Sequence, residues 1–278
     1  MSATVLLALF GVGLAVGVLS GLIGIGGGVL IVPFLYFFYS HPDWSGSRVA
    51  PDLAATVAHA TSLFIIMPTA VRGTLAYQRS NLVAWRAALP IAAASTIAAV
   101  LGARLALILP EHVLKLAFGL LLTWSGIQLA RSRAVIGERP AARTPVWKSL
   151  ATGLLVGLFS ALLGVGGGVI AIPLLVYVIG IEVKKVAATS LAIVMFSATA
   201  GTITYLLSSV DSTGLPGGTV GYVHVAAALP ILVGAVLSVR LGTWLNQQMP
   251  TRRLRALFAA LFVLLGVRLV VTSAAAIL

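Results

Sequence analysis

Residues 17–37 read GVLSGLIGIGGGVLIVPFLYF, and residues 157–177 read GLFSALLGVGGGVIAIPLLVY. At this offset of 140, 10 of 21 positions are identical, including Ser20/Ser160, Gly24/Gly164, both glycine triplets and Pro33/Pro173. The match continues at an offset of 128, where Thr61-Ser62-Leu63 pairs with Thr189-Ser190-Leu191 and Tyr77 with Tyr205. It then returns to 140, pairing Leu89-Pro90 with Leu229-Pro230 and Gly102 with Gly242. A fixed-offset repeat of this kind constrains a fold more than any local propensity. The chain reads as a first repeat over 1–135, a polar linker over 136–146 and a second repeat over 147–278.

The solvent of this duplicated unit is lipid. Of 278 residues, 60% are hydrophobic and 9% charged, where a soluble domain carries about a quarter charged residues. Apolar runs of bilayer-spanning length recur along the chain. There are no cysteines, which excludes disulfides, thiolate metal sites and Cys nucleophiles. The net charge of +12 would suggest nucleic acid in a soluble protein, but no basic domain with interleaved aromatics is present. The basic residues mark cytoplasmic loops instead. Residues 3–22 lack the positive start of a leader peptide, the first basic residue being Arg48, and the segment recurs later in the chain.

Each repeat has a long glycine-broken apolar segment (3–39 and 147–180) followed by three plain spans. These cover 53–77, 83–107 and 112–131, then 186–207, 222–245 and 254–275. If each broken segment crosses once, Lys and Arg divide evenly between the two sides, nine and nine. If each returns to its starting side, the halves are inverted and 14 basic residues fall inside: Arg72, Arg79, Arg86, Arg131, Arg133, Arg139, Arg143, Lys148, Lys184, Lys185, Arg240, Arg252, Arg253 and Arg255. Arg48, Arg104, Lys115 and Arg268 alone remain outside. The positive-inside bias selects the second arrangement, with both termini periplasmic in a bacterial inner membrane. The expected fold is therefore an all-α integral membrane protein with an inverted repeat, each half a glycine-broken hairpin plus three transmembrane helices.

Irregular backbone at membrane depth is tolerated only where it is buried in protein or lines a cavity. Gly24, Gly26, Gly27 and Gly28, with Gly164, Gly166, Gly167 and Gly168, form two such breaks. The helices restarting after them would present unpaired N–H groups and a positive dipole end at the midplane, the plan of inverted-repeat transporters. The alternative for the glycines is close helix packing.

The doubled pattern GIGGGVLIVP and GVGGGVIAIP, with Ala60-Thr61-Ser62 and Ala188-Thr189-Ser190 after it, resembles the TauE/SafE-type sulfite/organosulfonate exporter family over essentially the whole chain. The resemblance implies transport of sulfite, sulfoacetate or a related sulfonate. It also implies export as the usual direction, with uptake in some members, and proton coupling.

Around the breaks, Ser20, Thr61, Ser62, Ser160, Thr189 and Ser190 are candidate substrate-binding hydroxyls, since both copies keep them. Each could equally bond its own helix backbone or pack helices. His59 is the sole histidine well inside a span, and its repeat mate is Ala187. It is a candidate proton or anion relay, or else a satisfied buried imidazole. Arg72 could draw anions to the inner mouth, or snorkel as an ordinary cytoplasmic arginine. All six acids lie in loops or at span ends, so a proton relay falls to His59 or to the substrate itself. No P-loop, metal-ligand spacing or nucleophile elbow is present. The sequence thus calls for no cofactor and no metal, and speaks against an enzyme. The partners expected are a small anion, the bilayer and protons, and a homodimer is compatible with the pattern. The competing readings are a passive anion channel and a carrier of another small anion.

Overall fold

The computed structural model describes residues 1–131, 145–209 and 214–248, with scattered positions between 250 and 271. The linker's Arg133, Arg139 and Arg143 lie outside the described residues, as does most of the last span expected over 254–275. The described positions from 256 to 271 are helical, and Gly266 among them packs on Gly119 and Thr123.

The first half holds α1 (Ala3–Ile23), α2 (Gly28–Ser40), the single turn α3 (Pro42–Ser45), α4 (Ala54–Gln78), α5 (Trp85–Ile108) and α6 (Glu111–Arg131). The second holds α7 (Val146–Leu162), α8 (Gly168–Leu174), α9 (Val183–Leu207) and α10 (Val225–Gln248). Five of these, α1, α4, α5, α9 and α10, are long and apolar enough to cross a membrane. The 25 residues of α4 rise about 37 Å, more than the hydrocarbon core. The protein is an all-α membrane protein, as the apolar runs required.

Two local features depart from plain helix. After Pro173, α8 runs into a π-helical turn over Leu175–Ile179. Proline cannot donate to the helical ladder and crowds the preceding turn, so the hydrogen bonds re-form one register wider. Before α10, β1 (Thr219–Val220) and β2 (Val223–His224) form a small antiparallel ribbon. Gly221, with φ 55°, leads its two-residue turn.

Packing exchanges helices between the halves. Gly13, Gly17 and Gly21 of α1 rest on the backbones of Ile231, Ala235 and Val239 of α10, so these helices run parallel. Gly153 and Gly157 of α7 rest likewise on Ile91 and Ser95 of α5, again parallel. α4 and α9 meet in the centre and run antiparallel: Gly73 faces Leu191, and Gly201 faces Leu63. Apart from Gly21 on Val239, these glycine contacts have counterparts at the offset of the sequence repeat. Tyrosines add a matched pair, Tyr77 Oη donating to the Gly21 carbonyl at 2.6 Å and Tyr205 Oη to that of Ala161 at 2.9 Å. Aligned small residues let backbones approach closely, and in lipid that contact replaces a hydrophobic driving force.

Candidate functional site: two glycine loops in contact at mid-bundle

The loops between α1 and α2 and between α7 and α8 occupy the centre. Gly24 caps α1 with φ 83°, and Gly26 and Gly27 follow at 88° and 91°. In the second loop Gly164, Gly166 and Gly167 have φ 64°, 78° and 83°. Only glycine adopts these angles without strain, so the triplets are dictated by the backbone path.

The two loops touch. A Cβ on Gly28 would lie 2.6 Å from Val165 Cα, and one on Gly168 would strike the Ile25 backbone. Gly26 and Gly166 both press on the same two side chains, Ile66 at the middle of α4 and Val194 at the middle of α9. The four glycines named here and their neighbours in both loops are buried. Ile66 and Val194 went unnoticed in the sequence, although they are repeat mates at offset 128.

The candidate hydroxyls separate into two groups. Thr61 Oγ1 accepts from the His224 N–H at 3.0 Å, and Thr189 Oγ1 accepts from the Ala84 N–H at 3.1 Å. These repeat-equivalent bonds fasten the starts of α10 and α5, each from the opposite half. Ser62 Oγ donates to the Gly164 carbonyl at 2.7 Å. Ser160 Oγ donates to Ser197 Oγ at 3.2 Å, and Ser197 in turn reaches the Gly166 carbonyl at 3.4 Å. The second loop is thus tied by hydroxyls from α4 and α9. Ser20 and Ser190, the mates of Ser160 and Ser62, are fully buried and make no hydrogen bond. Both adjoin the first loop: Gly24 N–H bonds the Ser20 carbonyl, and Gly24 packs on Ala187, one turn before Ser190. An unpaired buried hydroxyl costs about 1–3 kcal/mol, and these are the two candidate hydroxyls left without a bond beside the loops.

His59 lies against the second loop, where a Cβ on Gly164 would sit 2.5 Å from its Cα. Its Nε2 is 2.6 Å from Tyr36 Oη. Tyr36 was not among the sequence candidates, because its repeat mate is Val176. Arg72 is exposed on α4 beside Gly73 and stands apart from the loops. Among the described residues, no three His, Cys, Asp or Glu side chains gather to hold a metal. A site lined by backbone, Ser and aliphatic groups is suited to holding a small polar species, with helix starts favouring negative charge.

The family described as "Sulfite exporter TauE/SafE" matches residues 9–269. A protein of Methanocaldococcus jannaschii named "Probable membrane transporter protein" is 28% identical over 258 residues, covering 92% of this chain and 91% of that protein. The similarly named YunE of Bacillus subtilis is 25% identical over 275 residues, covering 93% and 94%. A Haemophilus influenzae protein of the same description is 24% identical, covering 93% and 95%. No solved structure matches the chain. The chain belongs to the TauE/SafE sulfite exporter family and is a membrane transporter rather than an enzyme.

Proposed function

We propose that this protein is a secondary transporter that exports sulfite or a small organosulfonate across a bacterial inner membrane, coupled to protons. The observation that carries the reading is the contact of two glycine loops at the middle of α4 and α9. A backbone break at that depth must be sheltered by protein or line a substrate site. Paired half-helix starts there resemble the binding plan of repeat transporters. Two halves of opposite orientation are supported by the antiparallel run of α4 and α9, which are repeat equivalents. Parallel packing of α1 on α10 fits the same scheme, with each glycine-broken hairpin returning to its starting side. The Lys and Arg distribution then puts both termini in the periplasm.

The anion sits where the two loops meet, with the free hydroxyls of Ser20 and Ser190 on the first-loop side. The Gly27 and Gly28 end of α2 adds backbone N–H groups. These hydroxyl and backbone groups are neutral, which keeps their hold on the anion reversible. The same neutrality favours a second reading, transport of other small anions or passive anion flux, since N–H groups and hydroxyls accept many oxyanions.

The test is flux in proteoliposomes holding the purified chain. Sulfite or sulfoacetate accumulating under an imposed proton gradient supports the proposal. Equal dissipation of sulfite, sulfate and chloride gradients, with no accumulation, replaces it with a channel.

A further inference from the structure

The two loops differ in what stands behind them. Gly24 packs on Ala187, whereas Gly164 packs on His59, and these partners are repeat mates. A methyl group in one half is an imidazole in the other. That imidazole is fully buried, its Nε2 is engaged by Tyr36, and its Nδ1 completes no hydrogen bond among the described residues.

The surroundings of His59 are also one-sided. Tyr36 on α2 lies under Lys115 Nζ of α6, 5.2 Å from the ring centroid, and Lys115 is ion-paired with Glu111. Phe118 of α6 meets Tyr36 edge-on at 6.5 Å and lies 6.3 Å from the imidazole. Tyr205 of α9 faces Tyr36, and α7 brings the Leu162 backbone to His59. Among the described residues, no carboxylate is in contact with the ring. The repeat mates of Tyr36, Glu111 and Lys115 are Val176, Thr251 and Arg255, so the sequence has no counterpart of the Tyr–His pair in the second half.

We infer that His59 binds the transported oxyanion at the second glycine loop and takes up a proton with it, while Tyr36 and Lys115 act as positioning residues. The inference rests on the transporter reading above. Tyr36 O–H donating to Nε2 fixes the tautomer with hydrogen on Nδ1. Among the described residues that buried N–H meets only the Leu162 backbone, without completing a hydrogen bond of good geometry, and an oxyanion oxygen satisfies it. The bound anion supplies the counter-charge that a buried imidazolium needs. A proton then adds to the Nε2 lone pair, and the Tyr36 hydroxyl turns from donor to acceptor. No covalent bond breaks in the protein. By linkage, proton and anion each strengthen binding of the other. Lys115 holds the Tyr36 ring in place, and Glu111 balances its charge.

The experiment uses the full-length purified protein and methanesulfonate, whose own charge is constant near neutral pH. Proton uptake on binding and affinity are measured at about pH 6 and about pH 8, either side of an ordinary imidazole. The wild type takes up protons and binds about tenfold tighter at the lower pH. His59→Gln retains a donor but loses the uptake and the pH dependence. Tyr36→Phe, which keeps the ring packing, weakens both, and Lys115→Arg preserves them. Methanesulfonate that fails to bind, binds without proton uptake, or shows the same uptake in His59→Gln overturns the inference. Intact binding and uptake with no liposome flux would instead strike at the transporter reading alone.

Discussion

Alanine at Gly28 separates close approach from backbone strain. Gly28 opens α2 and is not among the glycines with positive φ, so alanine brings no left-handed penalty there. Its Cβ would nonetheless lie 2.6 Å from Val165 Cα and 2.7 Å from the Gly164 carbonyl oxygen. Ordinary carbon contacts sit at about 3.5–4.0 Å, so the two loops must part by about 1 Å. Forced repacking of this size costs about 1–3 kcal/mol. Gly168→Ala strains the same interface from the other side, against Ile25. Loops already parted by one alanine accommodate the second more cheaply, so the double variant loses less stability than the two single losses added together. The assay is thermal unfolding of detergent-purified protein alongside sulfite flux in liposomes. Each single variant is expected to lower the melting temperature and reduce flux at least tenfold. Gly11→Ala on α1, where nothing lies within 4 Å of the new methyl, is the control and stays neutral. Strictly additive losses would refute a shared interface, and full flux in both single variants would refute any need for loop contact.

Ser62→Ala leaves the buried Gly164 carbonyl without its donor and should lower stability by about 1–3 kcal/mol. Ser190→Ala, which breaks no bond, should be near neutral in melting while weakening sulfite binding measured by calorimetry. Tyr77→Phe and Tyr205→Phe each remove one bond to a buried carbonyl, so comparable melting losses of about 1 kcal/mol or more are expected. The cysteine-free chain permits single-cysteine labelling in spheroplasts. Ser2→Cys should react with an impermeant maleimide from the periplasm, and Ser80→Cys only after the membrane is opened; the reverse pattern would overturn the proposed orientation.

The sequence made the spans and breaks legible because lipid imposes long apolar runs and because glycine is the residue that turns left-handed cheaply. The span expected over 83–107 is α5 at Trp85–Ile108, and the break at Gly24 and Gly26-Gly27-Gly28 is the observed loop. Thr61 and Thr189 were recognisable as a kept pair, yet their role was not. Their partners are the His224 and Ala84 backbones respectively, and self-comparison cannot say which half a side chain will reach into. Tyr36 was hidden for the opposite reason. Searching for what the copies share passes over what only one copy has. The ribbon at Thr219–His224 straddles the start of the span expected from 222 and was not legible, since two residues per strand leave no alternation to read.

The exchange of helices between halves bears on how the chain is made. α1 is synthesised before the other described helices, and its glycine face, Gly13, Gly17 and Gly21, matches α10, which appears more than 200 residues later. Until then that face has only lipid or a borrowed neighbour against it. Biosynthesis of this protein therefore cannot proceed by finishing one half and then the other. α1 must wait in the bilayer, inserted but unmated, and this contact closes only when α10 arrives.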